Sequence, residues 1–192
     1  QSYQILFTDH RAAAVAAHWQ TDGTAEKARA YTMQRVLDCQ PAALLRWFRD
    51  NRPAVYENIR WVFEAKDYLR FRLTGEAFAE YTDSSGTSLL NLHTRQFDRE
   101  LLRLYGIPEV WEALPPLRAS ADMCGRVTAE AAALTGIPAG TPVCGGMFDI
   151  DACAIAMDVS TEDRLCAVTG TWSINEYISH TPVPSDGTTL NS

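Results

Sequence analysis

The chain is 192 residues long, 46% hydrophobic and 21% charged, an ordinary globular composition with room for one full core and the beginning of another. Its net charge of −7, with Lys and Arg scattered among Asp and Glu, weighs against a nucleic-acid binder, which needs clustered basic residues. No apolar run approaches the roughly 20 residues of a membrane span, and Gln1-Ser-Tyr-Gln4 has no basic stretch leading into an apolar signal core, so a cytoplasmic address is expected.

Gln4-Ile-Leu-Phe-Thr8 reads as a strand running into Asp9-His-Arg11 and then an alanine-rich helix to Trp19. A chain that opens on a strand with no lead-in looks like part of something longer. Thr24 is placed to cap a second helix, whose loose apolar stripe of Ala28, Tyr31, Val36 and Leu37 runs on toward Cys39-Gln40-Pro41. Pro41 suits the first turn of a third helix that buries Leu44, Leu45, Trp47 and Phe48 and stops at Pro53. Ile59 to Phe63 reads as a strand. Asp67 caps a helix from Tyr68 to Leu73, closed by Gly75 in the left-handed conformation common after helix ends. Ala77 to Tyr81 reads as extended, Thr82-Asp83-Ser-Ser as a capped turn, and Asp98 precedes a helix through Leu101, Leu102 and Leu104. Thr128 caps another helix ending at Gly136, which turns into a strand over 141–144. Alternating helices and strands give an α/β pattern, with a seam placed at Asp158 to Asp163 and a turn-rich, mobile tail after Thr181.

Cys39, Cys124, Cys144, Cys153 and Cys166 show no Cys-x-x-Cys pair and read as small core residues. The four histidines lack metal-ligand spacing. The informative stretch is Thr141-Pro-Val-Cys-Gly-Gly-Met-Phe-Asp149, a short strand, a glycine turn and a carboxylate opening a small-residue helix. It places Asp149 at a strand's C-terminal edge, where open α/β sheets put ligands. Ala152, Cys153 and Ala156 then keep one helix face flat for close approach to a strand. A plain helix cap is the alternative for Asp149, and Asp151 competes for any chemical role. Further on, Ala167-Val-Thr-Gly170-Thr171-Trp172-Ser173 is an apolar strand broken by Gly-Thr, able to bring backbone N–H groups close to an anion or simply to turn a hairpin.

These two stretches, in order after Leu6-Phe-Thr-Asp9-His-Arg11, Leu44-Leu-Arg-Trp47, Lys66-Asp67-Tyr68-Leu-Arg-Phe-Arg-Leu73-Thr-Gly75, Thr82-Asp83-Ser-Ser-Gly-Thr-Ser88 and His93-Thr-Arg-Gln-Phe97-Asp98, resemble the FGGY carbohydrate kinases. Within that family the wording is nearest to the L-xylulose kinases. The resemblance implies an actin-like (ribonuclease H-like) ATPase fold, with residues 1–160 part of the N-terminal sugar-binding domain, lacking its first strands, and 161–192 the start of the C-terminal nucleotide-binding domain. It implies ATP-dependent phosphorylation of a sugar or polyol hydroxyl, with ATP and Mg2+ as cofactors and Asp149 as general base. Gly170 and Thr171 would contact the nucleotide's phosphates. Gln40 falls where relatives touch the polyol, with a loop residue facing solvent as its alternative. Asp9 with Arg11, and Asp83, fall near the family's cleft and read as supporting ion-pair or cap residues. A homodimer is an expectation of the resemblance alone. Because relatives are more than twice this length, the isolated chain is expected to be an inactive internal piece. A non-catalytic actin-like sugar-sensing module is the alternative. A dinucleotide-binding domain is disfavoured, because Gly145-Gly146 does not fit Gly-x-Gly-x-x-Gly.

Overall fold

The computed structural model describes residues 5–169 and 173–181. Helices α1 (Ala13–Thr21) and α2 (Thr24–Thr32) form a pair turned at Gly23, whose φ of 84° a side chain would strain. Helix α3 (Pro41–Asn51) starts on its proline and turns Leu44, Leu45 and Phe48 inward. A single turn, α4 (Pro53–Tyr56), leads to α5 (Ala65–Thr74), which Gly75 terminates in the left-handed region. Then come β1 (Ala79–Glu80), α6 (Tyr81–Ser85), β2 (Leu90–Asn91), β3 (Gln96–Phe97) and α7 (Arg99–Leu104), followed by a 3-10 turn over Pro108–Ala113. The rest is β4 (Leu117–Arg118), β5 (Met123–Arg126), α8 (Ala129–Thr135), β6 (Pro142–Cys144), α9 (Asp149–Ala156), β7 (Cys166–Thr169) and β8 (Ser173–Glu176).

The strands pair two by two: β1 runs parallel to β4, while β2 with β3, β5 with β6 and β7 with β8 are antiparallel. The main core lies among α1, α2, α3 and α7, where Trp19, Leu45, Phe48, Leu101, Leu102 and Ile107 meet, and the Trp19 and Tyr105 rings stack with centroids 4.7 Å apart. A second, small cluster holds Ala154 of α9 together with Val159 and Cys166, with Val168 against it. The β7–β8 hairpin thus packs on α9, apart from the main core.

Several sequence expectations are corrected. Residues 5–8 make a turn, closed by Asp9 N–H donating to Leu6 O at 2.9 Å, with Leu6 and Phe7 exposed; no strand lies alongside them among the described residues. Helix α2 ends at Thr32 because Met33 is left-handed, and Val36 is buried from a loop; Gly23, not Thr24, holds its N-cap position. The stretch 59–63 is not a ladder strand, though Val62 N–H donates to Ala113 O at 2.9 Å. Cys39, Cys124 and Cys166 are buried, whereas Cys144 and Cys153 are exposed, and all five are free. Ala152, Cys153 and Ala156 are exposed too: α9 meets the hairpin through Ala154, so the flat small-residue face is not the one in contact. The tail beyond Thr181 lies outside the described residues.

Burial separates costly from cheap substitutions. Leu101, wholly buried, should lose roughly 2–5 kcal/mol of unfolding free energy on replacement by Ala. Leu134, 74% exposed, should lose less than about 0.5 kcal/mol. Urea unfolding of the two variants measures both.

Candidate functional site

Helix α5 inverts the usual amphipathic rule. Its buried residues are Asp67, Arg70 and Thr74, while Leu69 is 64% exposed. The inward face is polar because it backs a buried charge cluster. The Lys66 ammonium lies 2.9 Å from Asp67 Oδ1, 3.3 Å from Glu80 Oε2 and 3.1 Å from Asp83 Oδ2. Arg70 adds an ion pair to Asp67 Oδ1 at 3.0 Å. Asp67 is therefore not the helix cap read from the sequence: it lies inside α5, and its Oδ2 accepts from Glu80 N–H at 3.3 Å. Glu80, fully buried, is itself the cap of α6, accepting from the N–H groups of Thr82 and Asp83, and it also takes the Ser120 hydroxyl at 2.8 Å.

Burial raises the Asp67 and Asp83 carboxyls above their ordinary value despite Lys66. For Glu80 burial acts the same way, but the hydrogen bonds from Thr82 and Ser120 outweigh it and hold the carboxyl below the usual range. Burial lowers the Lys66 ammonium, yet Asp67 and Asp83 lift it above its normal value. With three carboxylates against Lys66 and Arg70, a fourth acid is hard to ionise. Glu64 is pushed up to about 7 by burial and by repulsion from Asp83 and Asp67.

This cluster grips the turn before α9. Gly145 O accepts from Arg70 Nη1, with Lys66 Nζ at 3.5 Å. A Cβ on Gly145 would fall 2.4 Å from Ala119 O, and Gly146, with φ 77°, lies against the Lys66 stem. The glycine pair serves close approach rather than a dinucleotide. Next in line, Phe148 N–H donates to Thr82 Oγ1 at 2.8 Å.

Asp149 follows as the first residue of α9, exposed, with no hydrogen-bond or ion-pair partner among the described residues. Asp151, two positions on, has other business: it faces Glu176 of β8, and burial, together with the interaction with Asp151 and the repulsion between the two acids, pushes the Glu176 carboxyl up to about 7. Gln40 is 2% exposed, and its amide is engaged internally. Its oxygen accepts from Leu37 N–H at 2.7 Å and Ser88 Oγ at 2.9 Å, while Nε2 donates to Gly86 O at 3.0 Å. Gln40 and Phe148, the residue before Asp149, are thus tied to one segment, 80–88. Asp9 and Arg11 pair at 2.6 Å, and Arg11 also lies over the half-buried Trp47 ring. Gly170 and Thr171 lie outside the described residues.

Residues 3–156 match the N-terminal domain of the FGGY family of carbohydrate kinases. The chain belongs to that family. It is 41% identical over 175 residues to the L-xylulose/3-keto-L-gulonate kinase of Escherichia coli, covering 91% of this chain and 35% of that protein. A probable L-xylulose kinase of Pasteurella multocida is 39% identical over 170 residues, with 88% and 35% covered. The chain therefore spans about a third of the length of these relatives. Among solved structures, the xylulose kinase of Rhodospirillum rubrum superposes with a TM-score of 0.74 at 32% identity, covering 82% of this chain and 32% of that one. Glycerol kinase of Plasmodium falciparum gives 0.80 at 19% identity, covering 89% and 34%, a likeness of fold. The fold is the actin-like ATPase fold of these kinases, over the part the chain spans. No described helix is long and apolar enough to cross a membrane.

The two raised glutamates set a pH dependence. Each binds its proton more tightly when folded, so its share of stability is full below about pH 4.5 and is lost as pH rises through about 7. Thermal unfolding at pH 5 and pH 8 should show a drop in Tm that Glu64→Gln and Glu176→Gln each reduce.

Proposed function

We propose that the protein carrying this chain transfers the γ-phosphoryl group of ATP to a hydroxyl of a ketopentose such as L-xylulose, or of a related sugar, sugar acid or polyol, with Asp149 as general base. The observation that carries this reading is the contrast between two neighbouring acids. Asp149 is open at the start of α9 with no partner among the described residues, whereas Asp151 is engaged by Glu176. Membership of the family and the names of the relatives support the reaction class, and the two L-xylulose kinases support the substrate class.

Phosphoryl transfer passes through a loose transition state, so the protein contributes mainly positioning and charge. The sugar oxygen forms its bond to the γ-phosphorus as the bond to the bridging oxygen of ADP breaks, and the hydroxyl proton passes to Asp149. The step needs a carboxylate that can accept that proton, and Asp149 stands exposed at the start of α9. Magnesium, when bound with ATP, neutralises phosphate charge, and Asp149, an open oxygen donor, is the residue fitted to hold it through water.

Gly170 and Thr171 are assigned to the phosphates on the family resemblance. Gln40, whose amide is already engaged, is assigned to shaping the sugar wall by clamping the turn at Gly86 and Ser88. We place the domain seam at 160. Helix α9 is then the joint, its start tied to Thr82 and its body packed on the β7–β8 hairpin. A cytoplasmic location and a homodimer belong to the same reading.

Asp149→Asn in the protein at its full natural length should lower kcat with Mg-ATP and L-xylulose by roughly 10²–10⁴-fold while sugar binding by calorimetry persists. Unchanged turnover would move the base elsewhere. Sugar binding with no turnover in the unaltered protein would favour the sensing module.

A further inference from the structure

We propose that Thr82 is a positioning residue for Asp149, acting as a hydroxyl relay between the buried Glu80 carboxylate and the backbone N–H of Phe148. The inference rests on the reading of Asp149 as the base. Thr82 reads in the sequence as part of a capped turn, and it sits 66 residues away from Phe148, which it holds.

Helix α9 lacks a side-chain cap of its own. Phe148 holds the N-cap position in an extended conformation, with φ −56° and ψ 139°, and contributes no side-chain acceptor to the first turn. The angle at which the backbone enters α9 must therefore be fixed from outside. Three contacts do so in succession: Gly145 N–H on Asp122 O at 3.0 Å, Gly146 N–H on Ser120 O at 3.0 Å, and Phe148 N–H on Thr82 Oγ1 at 2.8 Å. The last is adjacent to Asp149, and of these three it is the one made by a side chain.

A hydroxyl has one proton and can point it either way. Here the choice is forced. Thr82 Oγ1 lies 2.6 Å from Glu80 Oε2, and an ionised carboxylate only accepts. Glu80 is kept ionised by the donors around it: the Thr82 N–H at 3.0 Å, the Ser120 hydroxyl at 2.8 Å and the Lys66 ammonium at 3.3 Å. The Thr82 proton is thus committed to Glu80, and its lone pairs face Phe148. Threonine suits the task because a β-branched side chain has few χ1 choices. A displacement of about 1 Å in a reacting group can cost on the order of 10²-fold in rate, so a fixed backbone beside the base has kinetic value.

The test uses the protein at its full natural length with Mg-ATP and L-xylulose. Thr82→Val keeps the shape and removes both hydrogen bonds, while Thr82→Ser keeps the hydroxyl. Thr82→Val should lower kcat by roughly 10–100-fold with KM for sugar and ATP within about 2-fold. Thr82→Ser should recover most of the lost kcat, and the double variant with Asp149→Asn should be no slower than Asp149→Asn alone. If Thr82→Val does not fold, Thr82→Ala takes its place with the same expectation. Three results would overturn the proposal: kcat unchanged when the hydroxyl is removed, Ser as slow as Val, or losses at Thr82 and Asp149 that multiply independently. Failure of the base assignment is read separately, from Asp149→Asn alone retaining full turnover.

Discussion

Three carboxylates, Asp67, Glu80 and Asp83, converge on the Lys66 ammonium, and Arg70 completes the set through Asp67. Burying charge is expensive, and an arrangement like this persists only when each member has partners. Here the cluster has a second duty, because the same two cations hold Gly145 O in the turn ahead of α9. Removing one partner would leave the others uncompensated, which makes the cluster a firm foundation for a site that must not drift.

From that foundation the order passes outward. Glu80 fixes Thr82, Thr82 fixes Phe148, and Asp149 stands next in the chain at the mouth of the helix. The far side of α9 has a different partner in the β7–β8 hairpin, through Ala154 and through Asp151 with Glu176. One helix therefore touches both the helical body and the hairpin, with the proposed base at its first residue.

Much of this frame could be read from residue patterns. Pro41 opening α3, Gly75 and Gly136 closing α5 and α8, and the caps at Asp98 and Thr128 are local chemistry, and local chemistry is legible. What the pattern concealed was long-range. Residues 5–8 have strand composition, but no partner strand lies alongside them among the described residues, and they turn. Asp67 reads from the sequence as a cap, yet α5 buries it together with Arg70 and exposes Leu69. A hint was present: charged residues on α5 fall at the spacing where apolar ones would be expected to point inward. Gln40 was legible as a polar residue at a helix start, but its partners Gly86 and Ser88 lie more than forty positions away.

The central claim is that the buried charges hold the backbone entering α9. Amide hydrogen exchange at Phe148, compared between the native sequence and Lys66→Met, tests it most directly, with Leu45 in the main core as the control. Phe148 should have a protected amide that exchanges at least about tenfold faster in the variant while Leu45 stays protected, the signature of local opening. Equal protection of Phe148 in both proteins would show that the cluster does not govern the helix start, and would contradict the account.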